Sequence, residues 1–584
     1  MRLTPLVPLT LASLVATTLL VTACGGGADD SLDLEAGTPP NATTLDTAGA
    51  GTFSLTLQKI GSTVAGGLAA AEINAYDART GRLFVTDGAN ARVNVFDPRG
   101  VTDLGVPASP AAFISIADLG ATVNSVAVHD GLVAVAVEAA PKTAPGVVAF
   151  YRADTLERLA VVTVGAQPDM LVFTRDGRRV LVANEGEPDS YGLPTSVDPE
   201  GSVSVIDLHV RGSTLIPTVR TADFRGFNGQ IDALRARGVR IYGPGATVAQ
   251  DLEPEYIALD PDGRLAYVTL QENNAVATVD IARAKVLAIQ PLGLKDHNLP
   301  GQGLDPSDED GGTDTNSGTP AVKIGNWPVL GLYLPDAMAA YKARGQTWLV
   351  TANEGDARAD WPGFNEEVRI RAHCDKGLDP TVFPGATGDA TDRLLRDSNL
   401  GRLRVTLAPN GNDNGKNAAG QCNKLLTYGS RSFSIWRAAD MKRVFDSGED
   451  FERLTAAIAE AVGAPFKFNS GHDNDTLDSR SPAKGPEPEA VAVGEIGGRT
   501  YAFIGLERVG GIMVYDVTDP FNARFETYIN TRNGATGDLG PEGVTFVPAG
   551  RSPIGKALVI VSHEVSGTTA VYEVKVSRGG SSQR

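Results

Sequence analysis

Val182-Ala183-Asn184-Glu185-Gly186 and Thr351-Ala352-Asn353-Glu354-Gly355 are one phrase written twice, each closing a run of β-forming residues. A phrase repeated at this scale marks a repeated structural unit. Looser versions, in which an apolar strand ends on a carboxylate, occur at Phe84-Val85-Thr86-Asp87, Val135-Ala136-Val137-Glu138, Val268-Thr269-Leu270-Gln271-Glu272, Phe503-Ile504-Gly505-Leu506-Glu507 and Val559-Ile560-Val561-Ser562-His563-Glu564. The chain therefore carries seven copies of one unit.

Upstream of each closing acid lies another strand, and six of these open on an acid: Glu72, Asp169, Glu255, Asp336, Glu489 and Glu542. The second copy has Asn124-Ser125 there instead. Opening and closing acids are 15 to 22 residues apart, which fits one strand going down, a turn, and a strand returning to the same sheet edge. Short antiparallel strands repeated seven times are the signature of an all-β, seven-bladed β-propeller, in which the first strand of each blade lines a central channel. In that geometry the opening acids ring the channel mouth and the closing acids sit just outside it. Taken singly, each acid beside Gly or Pro also reads as an ordinary turn residue; their concentration on one face is what argues for a site.

One propeller with long insertions accounts for all 584 residues, because a repeat fold closes many small units into one body. The composition is globular, with 42% hydrophobic and 21% charged residues, and the 66 glycines and 35 prolines suit many short strands joined by turns. A net charge of −18 argues against a nucleic-acid partner, which needs a basic stripe. It favours cations, or ligands held through a cation.

Met1-Arg2-Leu3 followed by a short apolar run to Val21 and by Thr22-Ala23-Cys24-Gly25 reads as an export signal over residues 1–23, too short for a membrane span. Val-Thr-Ala before Cys24 resembles the bacterial lipobox, so Cys24 is expected to carry lipid at the mature N-terminus; a plain signal peptide is the alternative. The protein is then exported and anchored at the cell envelope, at the outer membrane if the cell has two. Residues 24–50 offer little to bury and are expected to be a flexible tether, and 577–584 a disordered tail. The strand at residues 53–60 is expected to complete the last blade, which supplies only three strands of its own. Two short helices, near 229–235 and 450–462, belong to the insertions. The largest insertion, 356–428, holds Cys374 and Cys422, which an exported compartment favours pairing; two free thiols are the alternative.

LVANEGEP (181–188), QDLEPEYIAL (250–259), LVTANEGDAR (349–358), SRSFSIW (430–436) and LDSRSPAKGPEPE (477–489) carry a family resemblance. They are similar to the choice-of-anchor I proteins, bacterial surface propellers related to the mesenchyme-specific cell-surface glycoproteins of echinoderm biomineralisation. Many relatives carry the label alkaline phosphatase. The resemblance covers about residues 51–576 and implies the propeller fold and a surface location. Where that family tends to read DSRSDDKGPEPE, this chain has Pro482-Ala483, so two acids are absent.

Two groups of acids are candidate Ca²⁺ ligands. Glu185, Glu255, Asp336, Glu354, Glu489 and Glu507 belong to the channel mouth, where crowded like charges call for a cation, with Asn184 and Asn353 as possible carbonyl donors. Asp305, Asp308, Asp310 and Asp314 lie on a Gly-containing loop that offers hard oxygen ligands without EF-hand spacing; a solvated acidic insertion is the alternative. Arg358, Arg431 and Arg480 adjoin acidic motifs and are candidates to clamp phosphate bidentately, or else form structural ion pairs. No G-x-S-x-G elbow is present, and the histidines at 129, 209, 297, 373, 472 and 563 are scattered without metal spacing. Two functions follow. One is a lipid-anchored surface module that binds Ca²⁺ and, through that face, a polysaccharide, mineral or surface protein. The other is a Ca²⁺-dependent phosphoester hydrolase, phosphatase-like or phytase-like, with unknown catalytic residues.

Overall fold

The computed structural model describes residues 43–46, 54–97, 102, 107–312, 318–384, 393–462 and 465–577. The export signal, Cys24, Asp314 and the tail beyond residue 577 lie outside the described residues.

Each repeated unit folds as one antiparallel sheet, and seven sheets of four or five strands are present among the described residues; the strands follow chain order except that an early strand is added to the outer edge of the sixth and of the seventh. Their innermost strands are Asn74–Asp77, Thr122–His129, Pro168–Phe173, Pro254–Leu259, Met338–Ala343, Pro488–Ile496 and Pro541–Val547. Each packs against the innermost strands of the sheets before and after it, and Pro541–Val547 packs against Asn74–Asp77. The fold is all-β and of propeller type, with helices confined to the connections.

The sequence of the second strands explains this packing. In Leu83-Phe84-Val85 the Phe84 side chain faces the second sheet, while Leu83 and Val85 face the seventh. In Val180-Leu181-Val182-Ala183, Val180 and Val182 meet the second sheet and Leu181 and Ala183 the fourth. Strands covered on both faces read as continuous apolar runs rather than as alternation. The core is accordingly divided into one apolar cluster between each pair of successive sheets. Each fully buried Val, Leu, Ile or Phe contributes about 1.5–3 kcal/mol.

Two segments far apart in the chain meet in the seventh sheet. Ser54–Ser62 pairs antiparallel with Thr568–Ser577, from Ser54 opposite Ser577 to Ser62 opposite Ala570. Leu55 and Leu57 point into the cluster shared with the sixth sheet. Within the stretch expected to be a tether, Thr43–Asp46 adds a strand beside Arg524–Asn530, where an open strand edge offers unpaired N–H and C=O groups.

Insertions occupy the connections. Between the second and third strands of the fifth sheet, the chain leaves after Ala352 and returns at Phe433. That excursion has its own small core of Ile370, Leu378, Leu400, Leu403 and Val405 around the Cys374–Cys422 disulfide. The helix Asp450–Val462 follows the fifth sheet and buries Phe451, Leu454 and Ile458 against the sixth. A second helix, Ile231–Arg237, ends on Gly238, whose φ of 100° is the left-handed turn that closes a helix.

Leu55 is fully buried in the strand that joins the chain ends, so Leu55→Ala should lower stability by about 2–5 kcal/mol in urea unfolding. Thr56→Ala, at the neighbouring half-buried position, should change it by less than about 0.5 kcal/mol.

Candidate functional site

The innermost strands enter in a common way. Four begin on Pro followed by an acid, Pro168-Asp169, Pro254-Glu255, Pro488-Glu489 and Pro541-Glu542, and in the fifth sheet Pro335-Asp336 stand just ahead of the strand that starts at Met338. Proline has no N–H to give a ladder and is confined to strand starts and edges. The residue ahead of it turns left-handed at Gln167 (φ 47°), Leu334 (41°), Glu487 (51°) and Gly540 (69°). Past the proline the register slips, between Pro168 and Leu171, Pro254 and Ile257, Pro488 and Val491, and Pro541 and Val544. The acid sits in that bulge, a device that re-aims a side chain at the end of a ladder. In the second sheet the slip falls between Val123 and Ser125, so Asn124 holds the equivalent place as the neutral member of the set.

These acids repel one another across sheets. Burial raises Glu255 well above the usual carboxylate range, and Glu272, Asp336, Glu185 and Asp169 add to it. Glu489 is raised by burial and then by Glu507, Glu354, Glu542 and Asp336. Glu542 is raised by burial and then by Glu72 and Glu564, and Asp336 by burial and then by Glu354 and Asp169. Glu185 follows the same pattern, with burial first and Glu187 and Asp169 next. The same causes bring Glu72 to about 8 and Asp169 to about 7. All six acids expected at the channel mouth, Glu185, Glu255, Asp336, Glu354, Glu489 and Glu507, thus act on one another through one electrostatic neighbourhood. Glu72, Asp169, Glu272 and Glu542 belong to it as well. Glu255, Glu489 and Glu542 each keep a buried carboxylate oxygen without a hydrogen-bond partner.

One flank carries its own cations. Lys484 Nζ lies 3.0 Å from Glu354, 3.2 Å from Asp356 and 3.3 Å from Glu487. Arg508 Nε lies 3.0 Å from both Glu487 and Glu507, and His472 Nδ1 2.9 Å from Glu507. Against its burial, Lys484, Arg480 and Arg508 hold the Glu487 carboxyl far below the usual range. Glu354, Glu487 and Glu507 offer oxygens close enough together for an ion, but Lys484, Arg508 and, on Glu487, Arg480 already pair with them. By contrast, Glu72, Asp169, Glu255, Asp336, Glu489 and Glu542 make no ion pair among the described residues.

The arginines expected to clamp phosphate are committed to the protein. Arg358 is buried with Asp251 at 2.8 Å and Glu253 at 3.0 Å, its guanidinium 4.6 Å from the Tyr242 ring centre. Arg431 is buried between Glu452 and the carbonyls of Asp305 and Ser481. Arg480 donates twice to Glu487. The Asn184 carbonyl oxygen accepts from Gly165 N–H and that of Asn353 from Thr351 Oγ1. On the acidic loop, Asp308 forms a bidentate pair with Arg402, while Asp305 and Asp310 converge with Asp478, from a different connection. The proline before five of these acids was a signal present in the sequence; the reach of Lys484 to Glu354 and Asp356 gave none, since those partners lie 130 and 128 residues upstream.

A family model described as the choice-of-anchor I domain matches residues 72–520. Gigasin-3a of Magallana gigas is 30% identical over 195 residues, covering 31% of this chain and 67% of that protein. The mesenchyme-specific cell surface glycoprotein of Strongylocentrotus purpuratus is 28% identical over 337 residues, covering 52% of this chain and 41% of that protein. The chain therefore spans less than half the length of the sea-urchin relative. Among solved structures, Kuenenia stuttgartiensis hydrazine synthase aligns over 88% of this chain and 96% of that chain, with TM-score 0.40 at 11% identity. The Myceliophteria thermophila Cps50 (Swd1) β-propeller domain aligns over 89% and 100%, with TM-score 0.41 at 6% identity.

In the unfolded chain Glu72 and Asp169 release protons near 4.5 and 3.8, whereas in the folded protein they hold them to about 8 and about 7. Their contribution to stability is therefore intact below pH 4 and lost progressively as pH rises to 8. In chelator, the unfolding free energy from urea titration should fall between pH 5 and pH 8, by an amount on the order of 1–3 kcal/mol; a rise would contradict the assignment.

Proposed function

Because the chain belongs to the choice-of-anchor I family, we propose that it is an exported surface module, a seven-bladed propeller that binds Ca²⁺ at its acidic channel mouth. Support for seven blades comes from the repeat count and from the closed succession of innermost strands. The names of the relatives support a surface location, one being a cell surface glycoprotein. The lipobox-like sequence before Cys24 supports lipid anchoring.

The observation that carries the cation reading is the pairing of unpartnered oxygens on Glu255, Glu489 and Glu542 with the lack of an ion pair to these residues among the described residues. Carboxylates in this state either hold protons or take up a cation, and a hard cation suits an all-oxygen site. The bound ion leaves a positive centre on an acidic face, able to receive an anionic group of a polysaccharide or surface protein that the bare face would repel. A phosphoester hydrolase would draw on the same cation. It would also need an anion clamp, and Arg358, Arg431 and Arg480 are engaged within the protein.

In calorimetric titration with Ca²⁺, wild type should bind and Glu255→Gln/Glu489→Gln should bind fewer ions. In chelator at pH 8 the same variant should be more stable than wild type, because the substitutions remove buried repulsion, and should gain less from Ca²⁺. Saturation at 100 times Kd is worth about 2.7 kcal/mol per site. Equal stoichiometry in both proteins would overturn the site, and Ca²⁺-dependent hydrolysis of a generic phosphomonoester by wild type would overturn the binding-only reading. Mass spectrometry of protein recovered from envelopes should show Cys24 as the acylated first residue; an unmodified residue upstream would refute the anchor.

A further inference from the structure

Away from the innermost strands, a second group of acids is enclosed where two connections meet. Asp305 and Asp310 lie on the chain between the fourth and fifth sheets, and Asp478 on the chain between the fifth and sixth. One oxygen from each lies within 4.8 Å of the others. Their exposures are 0%, 6% and 0%. None of the three makes an ion pair among the described residues, and the nearby guanidiniums serve other acids, Arg431 on Glu452 and Arg402 on Asp308 and Glu309.

The surroundings fix these carboxylates without neutralising them. Asp305 accepts from the N–H groups of Ser307 and Lys323, and its own N–H donates to Glu452. One oxygen of Asp310 accepts from Ala321 N–H at 3.1 Å. One oxygen of Asp478 accepts from Ser481 Oγ, which in turn accepts from Asn469. The other oxygens of Asp310 and Asp478 are buried with no partner, an arrangement that leaves a full desolvation penalty unless something occupies the centre. Asp478 is also held at φ 66°, a backbone state that a non-glycine residue keeps only when its surroundings impose it. Burial and then Glu452 raise Asp305 to about 8, and burial and then Asp305 raise Asp478 to about 9.

We propose that Asp305, Asp310 and Asp478 hold one Ca²⁺ ion at a structural site separate from the channel mouth, which fastens the two connections together. An all-carboxylate set selects a hard cation. Enclosure favours Ca²⁺ over Mg²⁺, which sheds its waters reluctantly and keeps several of them. The ion replaces the missing hydrogen-bond partners of Asp310 and Asp478 and holds together segments that are more than 160 residues apart. Asp308 is excluded from the set by its bidentate pair with Arg402.

Metal analysis after Ca²⁺ loading and desalting separates the two sites. Asp310→Asn/Asp478→Asn should retain one equivalent of calcium fewer than wild type, whereas Glu255→Gln/Glu489→Gln should keep that equivalent. Unchanged calcium in the Asp310/Asp478 variant would overturn the proposal. Wild-type crystals soaked in terbium provide a test that needs no variant. An anomalous peak about 2.3–2.6 Å from oxygens of all three aspartates is expected. Its absence would mean that the three carboxyls share protons instead, and would overturn the site.

Discussion

Every sheet in this protein is clamped on both faces. Phe84 is pressed into the second sheet while its neighbours Leu83 and Val85 are pressed into the seventh, and the same division recurs along Val180-Leu181-Val182-Ala183. Interiors packed in this way tolerate neither charge nor irregular backbone. Chemistry is therefore displaced to strand ends and to the connections. This is why the acids recur where innermost strands begin and second strands finish, and why the insertions hold most of the remaining buried charge.

Crowded carboxylates at such ends can be relieved in two ways, and this chain uses one of them visibly. Lys484 and Arg508 enter among Glu354, Glu487 and Glu507 and convert repulsion into a network. Around Glu255, Asp336, Glu489 and Glu542 no such side chain arrives among the described residues, and burial with mutual repulsion raises all four. The acids are thus divided between a flank paired with cations of the protein and a flank without them.

What the sequence made legible follows from how local each cause is. The repeated phrase, the strand lengths and the opening and closing acids are short-range signals, and they located the sheets and the seam between Ser54–Ser62 and Thr568–Ser577. The helix at Asp450–Val462 was legible for the same reason. Arg358 was misleading because its partners, Asp251 and Glu253, lie more than a hundred residues upstream. Asp308 resembled Asp305 and Asp310 in spacing, but Arg402 reaches it from another insertion. Asp478 lies within the motif LDSRSPAKGPEPE, yet only the fold brings it beside the loop that holds Asp305 and Asp310.

The seam has a bearing on how the chain is made. Ser54 and Ser577 are bonded across 523 residues, so a strand made early finds its place beside one made much later. Contacts of such separation slow folding, because the loop must close before the contact repays it. Until the final strand emerges, Leu55, Leu57 and the exposed edges of the first-made sheets have no permanent cover, which is the condition under which chaperones bind and chains aggregate. The ladder between residues 54–62 and 568–577 therefore ties the cover of Leu55 and Leu57 to a segment made more than five hundred residues later, and any chain that lacks residues 568–577 keeps that apolar face open.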